Sequence, residues 1–472
     1  MALTRSDLHW LSLTEVRDLM QRREVSPVEV TEATLARIQA LDPSVNSYIT
    51  VLGDQARAEA REAERRIAAG QAGALTGVPI ALKDIVDLAG VRTTAASAIL
   101  QDNVAAEDAT IVERLRAAGA VIVGKLTLHE FAFGGTNDNP HFGACRNPWG
   151  LDRIPGGSSG GSGAAVAAGF CYGAIGTDTG GSIRLPAHYC GVVGLMASYA
   201  RVPTRGVFPL AWSLDHAGPL TRTVRDAAVM LQAIAGHDPR DPLSADVPLP
   251  DFAGGIDAGL RGLRIGMPRS YFFEDLDAAV ARAVEAALDV LRDLGAELIE
   301  VEFPYQDQIG PIGWTIVMAE GAAVHQEHLR EKADLFGPDV RVLVELGALR
   351  SAVDYIQAQR GRSLLRAEAE ALFDRVDALV TPAAPVTATP IGARSVLLNE
   401  QRRDLALLQA KCSLPFDLTG QPAMSIPCGF DDAGLPIGVQ IAGRCWDEAT
   451  VLRVAHAYEQ ATEWHKRHPP IA

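Results

Sequence analysis

Two glycine-rich turns carry serines that could take part in the cleavage of an acyl bond. The segment 155-PGGSSGGSGAAVAAG-169 contains Ser158 and Ser159, and 176-GTDTGGSIRLPA-187 contains Ser182. Glycine at both turns lets backbone N–H groups point inward without obstruction by a Cβ atom, which is the geometry that holds an oxyanion. The turns therefore indicate an acyl-transfer site, provided that a base is available.

The base could be a histidine or a lysine. None of the eleven histidines lies in a context typical of a catalytic triad. Lys83 ends the apolar run 78-VPIALKDIVD-87, so its stem should be buried, and burial lowers the pKa of a lysine toward neutrality. From the residues alone, a structural ion pair of Lys83 with Asp84 or Asp87 stays open as the alternative.

Other chemistries find less support in the residues. The phosphate-binding pattern G-x-x-x-x-G-K-[ST] and the serine–lysine pattern S-x-x-K are absent. Residues 157–161 match the nucleophile elbow G-x-S-x-G, which would make Ser159 the nucleophile, but the preceding 146-RNPWGLDRIPG-156 is not an apolar strand. No H-E-x-x-H or comparable cluster occurs, so no metal site is expected.

These segments, in this order, resemble the amidase signature family. The similarity covers 77–90, 145–169, 190–195 and 214–228 and resumes at 420-GQPAMSIPCGFDDAGLPIGVQIAGR-444, so it extends over most of the chain. The resemblance implies an enzyme that hydrolyses carbon–nitrogen bonds other than peptide bonds, with no cofactor and no metal.

The resemblance also implies a serine–serine–lysine triad. In it Ser182 is the nucleophile, Ser158 follows a cis peptide bond and relays the proton, and Lys83 is the terminal base. Ser159 would shape the turn and take no part in the chemistry. Attack of Ser182 on a carbonyl would give an acyl-enzyme that water then hydrolyses.

Further site residues follow from the same resemblance. The backbone N–H groups implied for the oxyanion hole are those of Thr179, Gly180, Gly181 and Ser182. Asp178 and Arg184 are expected to pair and support that loop. The loop 133-FGGTNDNPHFG-143 lies where family members line the acyl pocket. The substrate-lining residues expected from it are Gly134, Gly135, Thr136 and Asn137.

Short apolar runs alternate with helical patterns along the chain, which favours an α/β fold. Strands are predicted at 78–82, 120–124, 172–176, 263–267, 297–301, 377–382, 423–427 and 437–443. Helices are predicted at 26–40, 54–70, 108–119, 277–295 and 447–462, after Gly163, and as a helical block over 313–374. We expect one large domain, residues 1–472, with a central mixed β-sheet flanked by helices. It would comprise N-terminal helices (about 1–70), a signature core (about 75–230) and a C-terminal part (about 260–465) that completes the sheet and pocket.

Composition narrows the range of partners. The 472 residues carry a formal net charge of −15 and no long basic run, so neither a nucleic-acid nor an anionic-membrane surface is expected. The six cysteines are scattered, which is typical of free thiols in a reducing cytoplasm, and the N-terminus is not a signal peptide. The sequence predicts a cytoplasmic monomer or homodimer.

Two functions from different classes fit these features. The leading expectation is a free-standing amidohydrolase for small-molecule amides, anilides or carbamates, such as an aryl acylamidase or urethanase. The alternative is the A subunit of a glutamyl-tRNA(Gln)/aspartyl-tRNA(Asn) amidotransferase, which works in a complex and passes ammonia to a charged tRNA. The segment 196-MAS-198, where the family usually has Lys-Pro-Thr, favours the first. The acyl group and the amine stay open.

Overall fold

A long mixed sheet organises the molecule. The computed structural model describes residues 8–471. The strands of this part of the chain are β1 (Tyr48–Val51), β2 (Pro79–Lys83), β3 (Val121–Leu126), β4 (Gly173–Asp178), β5 (Val193–Met196), β6 (His216–Thr221), β7 (Arg264–Met267), β8 (Glu297–Glu300), β9 (Ala378–Pro382), β10 (Ser395–Leu398), β11 (Gln401–Asp404), β12 (Ala423–Phe430) and β13 (Pro436–Gly443).

Eleven of these strands form one sheet in the order β1-β3-β2-β4-β6-β5-β12-β13-β9-β7-β8, and β10 and β11 form a separate hairpin. The pairs β2–β3, β2–β4, β7–β8 and β7–β9 are parallel. The antiparallel pair β5–β12 joins strands from the two halves of the chain. The fold class is therefore confirmed: the chain forms a single α/β domain around a large mixed sheet.

Sixteen helices within the described residues pack around the sheet. They are α1 (Leu13–Gln21), α2 (Pro27–Val45), α3 (Gly53–Ala68), α4 (Thr110–Ala117), α5 (Gly160–Ala167), α6 (Arg184–Cys190), α7 (Val224–Ile234), α8 (Arg269–Phe272), α9 (Ala278–Asp293), α10 (Ile309–Val324), α11 (Gln326–Glu331), α12 (Pro338–Ala348), α13 (Ala352–Ala371), α14 (Leu405–Gln409), α15 (Leu414–Thr419) and α16 (Glu448–Gln460). No helix within residues 8–471 is both long and apolar enough to cross a bilayer.

The predicted helical block over 313–374 is divided into separate helices. Gly337 precedes Pro338 at the start of α12, where proline is compatible with the first turn but not with a continuous helix through it. Ser351 caps α13 with a capping box to Asp354, which fixes a new helix start. The block therefore becomes α10 to α13, and α12 and α13 both pack against α10.

The adjacent parallel strands β2 and β4 position residues of the predicted site. Strand β2 runs beside β4, with Leu82 opposite Ile175. Lys83 at the end of β2 and Thr177 near the end of β4 therefore reach the same edge of the sheet. Helix α5 lies between them in the chain and begins two residues after Ser158. This crossover brings Ser158 to the strand ends.

Candidate active site

Lys83 lies at the centre of the predicted site. It is fully buried at the end of β2. Its Nζ lies 2.7 Å from Ser158 Oγ and 2.7 Å from Thr177 Oγ1. Both neighbours are hydroxyls, so the amine is held by groups that can hydrogen-bond to either of its protonation states.

Burial changes the acidity of Lys83. Loss of solvation lowers the pKa of its amine from 10.5 to about 7, and the more distant carboxylates of Asp178 and Asp215 only partly oppose this effect. Desolvation dominates because no carboxylate contacts the amine within residues 8–471. An amine with this pKa is neutral in a substantial fraction of molecules near pH 7, which a general base requires.

The two carboxylates considered as structural partners of Lys83 lie elsewhere. Asp84 pairs with the buried Lys125 of β3 at 2.8 Å and accepts from the Thr94 backbone N–H at 2.9 Å. Asp87 is half-buried, and its backbone N–H and carbonyl bond to Gly206 and Ala109. The ion-pair alternative for Lys83 is therefore absent from the described structure.

The glycine–serine run separates its two adjacent serines. The peptide bond between Gly157 and Ser158 is cis. Ser158 presents its Oγ to Lys83, whereas Ser159 Oγ donates to the Thr177 carbonyl at 3.1 Å and accepts from the Thr177 N–H at 3.2 Å. Ser159 thus ties the turn to β4, and only Ser158 contacts the lysine.

Ser182 lies on the open side of this cluster. It is half-buried and lines a cavity of about 330 Å³ together with Gly157, Thr179 and Gly180. Its backbone carbonyl accepts from the Ser159 N–H at 3.2 Å, so the two turns are in direct contact. Ser182 therefore belongs to the cavity wall and lies beside the turn that carries Ser158 and Ser159.

The backbone N–H groups around Ser182 divide into two sets. Gly181 donates its N–H to Asp178 Oδ1 and is thereby occupied. The N–H groups of Thr179, Gly180 and Ser182 have no acceptor within residues 8–471. Gly181 has φ +123°, and a Cβ on it would lie 2.2 Å from Ser413 Oγ, so only glycine fits this turn. The free set can stabilise an oxyanion, whereas the Gly181 N–H holds the loop.

Asp178 and Arg184 anchor the same loop from beneath. Arg184 Nε donates to Asp178 Oδ2 at 3.0 Å, and its Nη2 donates to Asp417 Oδ2 at 2.7 Å. All three side chains are fully buried. The Arg184 guanidinium holds the pKa of Asp178 below its usual range, and the two carboxylates raise the pKa of Arg184. A shared buried cation therefore joins the loop after β4 to α15.

The predicted substrate-lining residues separate into two pairs. Gly134 and Gly135 line the cavity beside Ser182. Thr136 and Asn137 turn away from it, because Thr136 Oγ1 and the Asn137 N–H both lie within hydrogen-bonding distance of His129 Nδ1, at 3.3 and 3.2 Å. A Cβ on Gly134 would lie 2.3 Å from the His129 ring, which explains the small residue there.

Residues from the C-terminal half of the chain form much of the remaining wall of the cavity. The sequence analysis did not predict these residues. Helix α10 provides Trp314, Val317 and Met318, and α14 provides Leu407 and Gln409. Gln409 is 1% exposed, and neither atom of its side-chain amide finds a partner among the described residues. Gln409 is a functional candidate because its buried amide lacks a partner. This property can be recognised only in the folded structure and not in the sequence.

Within residues 8–471, no group of three or more His, Cys, Asp or Glu side chains could hold a metal ion. The groups that the described site presents are its hydroxyls, the lysine amine and the backbone N–H groups. This combination suits nucleophilic acyl transfer.

The sequence matches the Amidase family over residues 29–452. The A subunit of glutamyl-tRNA(Gln) amidotransferase from Roseiflexus sp. (strain RS-1) is 44% identical over 98% of this chain and 99% of its own length. The solved structure of the same subunit from Thermotoga maritima is 33% identical, covers 99% of both chains and has a TM-score of 0.83. Another solved structure, from a vestigial protein complex that reveals the evolutionary origins of an s-triazine catabolic enzyme, is 35% identical over 95% of this chain and 98% of its own, with a TM-score of 0.92.

These relatives correct the leading functional expectation. Further curated relatives, from Geobacter and Chloroflexus among others, carry the same amidotransferase description. The expectation of a free-standing hydrolase for small-molecule amides, anilides or carbamates is therefore wrong. The expected partners, a small-molecule substrate and no nucleic acid for a monomer or homodimer, are wrong as well. Neither the urethane-cleaving nor the aryl acylamidase specialisation is confirmed.

The leading functional expectation was wrong because it relied on two features, the segment 196–198 and the net charge. The segment 196–198 is part of the scaffold: Met196 pairs with Ala423 in the sheet, and the Ser198 N–H donates to Glu448 at 3.0 Å. It therefore carries no information on the reaction. A net charge of −15 disfavours a broad nucleic-acid surface on this chain but does not exclude a tRNA handled within a complex.

The catalytic geometry and the sequence match lead to the same assignment. The match covers most of the chain, and the fold is shared along its full length with solved members of the group. The chain belongs to the amidase signature family, whose members are enzymes that act on carbon–nitrogen bonds.

Proposed function

We propose that the chain is the amide-hydrolysing A subunit of a glutamyl-tRNA(Gln) or aspartyl-tRNA(Asn) amidotransferase that works in a complex in the cytoplasm. The observation that carries this role is the similarity to such subunits, at 41% to 45% identity, over nearly the full length of both chains. Six free cysteines, five of them buried, fit a reducing compartment.

Ser182 is the proposed nucleophile. Its Oγ attacks the carbonyl carbon of a carboxamide in the cavity, and its proton passes to Ser158 as the Ser158 proton passes to Lys83. The contact of 2.7 Å between Lys83 and Ser158 supports this path. A lysine with a pKa of about 7 can accept the proton near neutral pH and give it back in the next step.

The oxyanion that forms on the substrate is held by backbone N–H groups. Those of Thr179, Gly180 and Ser182 are available, while the Gly181 N–H positions the loop through Asp178. When the carbon–nitrogen bond breaks, the proton held by Lys83 returns through Ser158 to the leaving nitrogen. Ammonia leaves, and water hydrolyses the ester on Ser182. The ammonia then displaces phosphate from the side-chain carboxyl group carried by tRNA, once a phosphoryl donor used by the complex, such as ATP, has activated that carboxyl group.

Gln409 is the proposed reader of the carboxamide. Its side-chain amide has one acceptor and two donors, and neither its oxygen nor its nitrogen makes a hydrogen bond of ordinary geometry within residues 8–471. The Tyr189 hydroxyl is the neighbouring polar group on the protein side. A primary carboxamide presents the complementary groups. Leaving such a pair unmade would cost about 1–3 kcal/mol for each buried polar group, so the amide should recognise its ligand strongly.

Replacement of the nucleophile should abolish hydrolysis. Ser182→Ala is expected to lower kcat for carboxamide hydrolysis by about a thousandfold or more, because loss of a covalent nucleophile removes the acyl-enzyme route. Ser159→Ala is the matched control, since the Ser159 hydroxyl hydrogen-bonds only to the Thr177 backbone among the described residues, and the variant should stay within about tenfold of wild type. The reverse order of the two variants would instead support the elbow arrangement.

The pH profile should report the state of Lys83. Its neutral form is the productive one, so kcat/KM should rise about tenfold per pH unit below about 7 and level off above it. Lys83→Arg should remain inactive at every pH because a guanidinium does not release its proton. Lys125→Arg, at the neighbouring buried lysine paired with Asp84, controls for the added bulk. Near-normal turnover by folded Lys83→Arg would refute the base role.

Gln409→Leu keeps a similar volume but removes both hydrogen-bonding functions. We expect kcat/KM for a carboxamide to fall about ten- to a hundredfold, mainly through KM, because the contacts are already made in the bound ground state. The methyl ester of the same acid lacks the N–H donors and should lose less. An equal loss for amide and ester would show that Gln409 does not read the carboxamide.

The amidotransferase role is tested on the assembled complex. The chain, tagged in its source organism and purified with its partners, is supplied with ATP and Mg²⁺, which activate the acceptor carboxylate, together with amide-¹⁵N glutamine and glutamyl-tRNA(Gln). We expect ¹⁵N in the product tRNA. In a Ser182→Ala complex this transfer should fail with glutamine but persist with free ammonium, because only ammonia release is lost. Absence of product with either nitrogen source in the wild-type complex would contradict the proposed role.

A further inference from the structure

We infer that His129, held by Asp339, is a positioning residue for the hydrolysis. Its ring fixes the loop of residues 134–137 against the turn that carries Ser158. The inference rests on the catalytic roles proposed for the two serines and the lysine. His129 is 3% exposed and lies three residues after the end of β3, and no step of the proposed chemistry uses its side chain.

The 134–137 loop has few contacts of its own. Gly134, Gly135 and Thr136 make no backbone hydrogen bond within residues 8–471. Instead, His129 Nδ1 accepts the Asn137 N–H at 3.2 Å and lies 3.3 Å from Thr136 Oγ1. A Cβ on Gly134 would overlap the same ring. The imidazole therefore supports the loop both through hydrogen bonds and through direct contact.

The backbone that flanks this loop has an unfavourable conformation. Phe131, Ala132 and Asn137 have φ values of 52°, 59° and 59°. Residues with a side chain adopt the left-handed region at a cost, and they stay in it only where the surrounding structure holds them. The hydrogen bond from the Asn137 N–H to His129 is one of the contacts that hold this backbone in place.

The loop lies directly against the turn that carries Ser158. A Cβ on Gly157 would lie 2.8 Å from the Gly135 carbonyl carbon and 2.9 Å from the Gly134 carbonyl oxygen, so the two segments pack backbone to backbone. The backbone N–H of His129 also donates to the Ser158 carbonyl at 3.1 Å. A shift of the loop would therefore move Ser158, whose Oγ lies 2.7 Å from the lysine amine.

These hydrogen bonds define the tautomer of His129. A backbone N–H can only donate, so Nδ1, which receives the Asn137 N–H, carries no proton. The ring proton is therefore on Nε2, which lies 3.2 Å from Asp339 Oδ2. A carboxylate at this position fixes both the tautomer and the orientation of the ring. With a proton on Nδ1, two donors would face each other and the contact with the loop would be lost.

Asp339 connects this support to another part of the cavity wall. It lies in the first turn of α12, which lines the cavity through Leu343. Glu130 reaches the start of the same helix, because its Oε2 accepts the Gly337 N–H at 2.7 Å. Two consecutive residues, His129 and Glu130, therefore attach the segment after β3 to the start of α12.

The test separates the number of intact sites from their reactivity. A fluorophosphonate reagent is added to the full chain, and mass spectrometry follows the label on Ser182. The amount of label at completion counts the intact sites, whereas the labelling rate per site reports how well the nucleophile is activated. A purely structural role of His129 would lower only the first quantity, and a positioning role lowers the second.

Two substitutions at His129 distinguish positioning from filling of space. His129→Leu has a similar volume but lacks both nitrogens, whereas His129→Asn is smaller and keeps an acceptor for the Asn137 N–H. We expect the leucine variant to label about tenfold or more slowly per site, with the label at completion unchanged. The asparagine variant should be faster than the leucine variant, and kcat for a carboxamide should follow the same order. The opposite order would show that the ring only fills space and would overturn the inference.

The control for these variants is His141→Leu. His141 lies in the same segment, but its Nε2 contacts Glu130 Oε1 at 3.0 Å and not the 134–137 loop. That carboxylate oxygen also accepts from Ser97 Oγ at 2.6 Å and stays hydrogen-bonded without the histidine. The labelling rate of this variant should equal that of the wild type.

Substitutions at Asp339 test the hold on the ring. Asp339→Asn keeps an acceptor for the His129 Nε2–H, whereas Asp339→Ala removes it. We expect the alanine variant to label about three- to tenfold more slowly per site, and the asparagine variant to stay close to the wild type. Arg394→Ala is the control, since its guanidinium is 3.9 Å from Asp339 Oδ2 and its side chain is largely exposed. If only the negative charge in the first turn of α12 mattered, asparagine would be as slow as alanine, and the role given to Asp339 would be overturned.

The outcomes are distinct from failure of the proposed function. Wild-type labelling rates in both His129→Leu and Asp339→Ala, or a loss confined to the label at completion, would overturn the inference. If the leucine variant does not fold, Asp339→Ala decides, because the Asp339 side chain is 32% exposed and can be replaced without opening the core. Absence of label on Ser182 in the wild type would instead contradict the proposed nucleophile.

Discussion

The site depends on the burial of one amine without a carboxylate beside it. Lys83 and Lys125 stand at the ends of adjacent parallel strands, both fully buried. Lys125 Nζ lies 2.8 Å from a carboxylate oxygen of Asp84. Lys83 has only the hydroxyls of Ser158 and Thr177, so desolvation lowers its pKa to about 7. Because Asp84 pairs with Lys125 of the neighbouring strand, it does not pair with Lys83, and the Lys83 amine is able to exchange a proton.

A second buried charge system keeps this arrangement rigid. Arg184 lies between Asp178 and Asp417 and connects the loop after β4 to α15. Burial, together with the neighbouring Asp178, raises the pKa of Asp417 well above its usual range, so the buried charges are those of Arg184 and Asp178. The cost of burying this ion pair is offset because Asp417 and the backbone donors satisfy the remaining hydrogen-bonding groups. Asp178 also takes the Gly181 N–H, so this network decides which backbone donors remain for an oxyanion. The ion pair of Asp178 and Arg184 thereby determines which backbone N–H groups of the loop after β4 face the cavity.

The sequence predicted the parts that local pattern controls. The fold class and the family were confirmed, and the predicted strands of the core lie within a few residues of β2, β3, β4, β12 and β13. The strands β5 and β6 were missed: β5 has only four residues, and β6 contains Gly218 and Pro219 within its pairing to β4. Thr177 and Gln409 were missed because their roles arise from distant contacts across the fold. The choice of function failed because residues 196–198, whose role is structural, were weighed as evidence on the reaction.

The helices above the sheet connect the catalytic cavity with the outer surface. Helix α10 presents Trp314 and Met318 to the cavity on one side, and carries α12 and α13 on the other. Helix α12 also reaches the cavity wall through Leu343. Control of the cavity through a helix of its wall would have a physical advantage. It can change the shape of the cavity without altering the charges that set the pKa of Lys83.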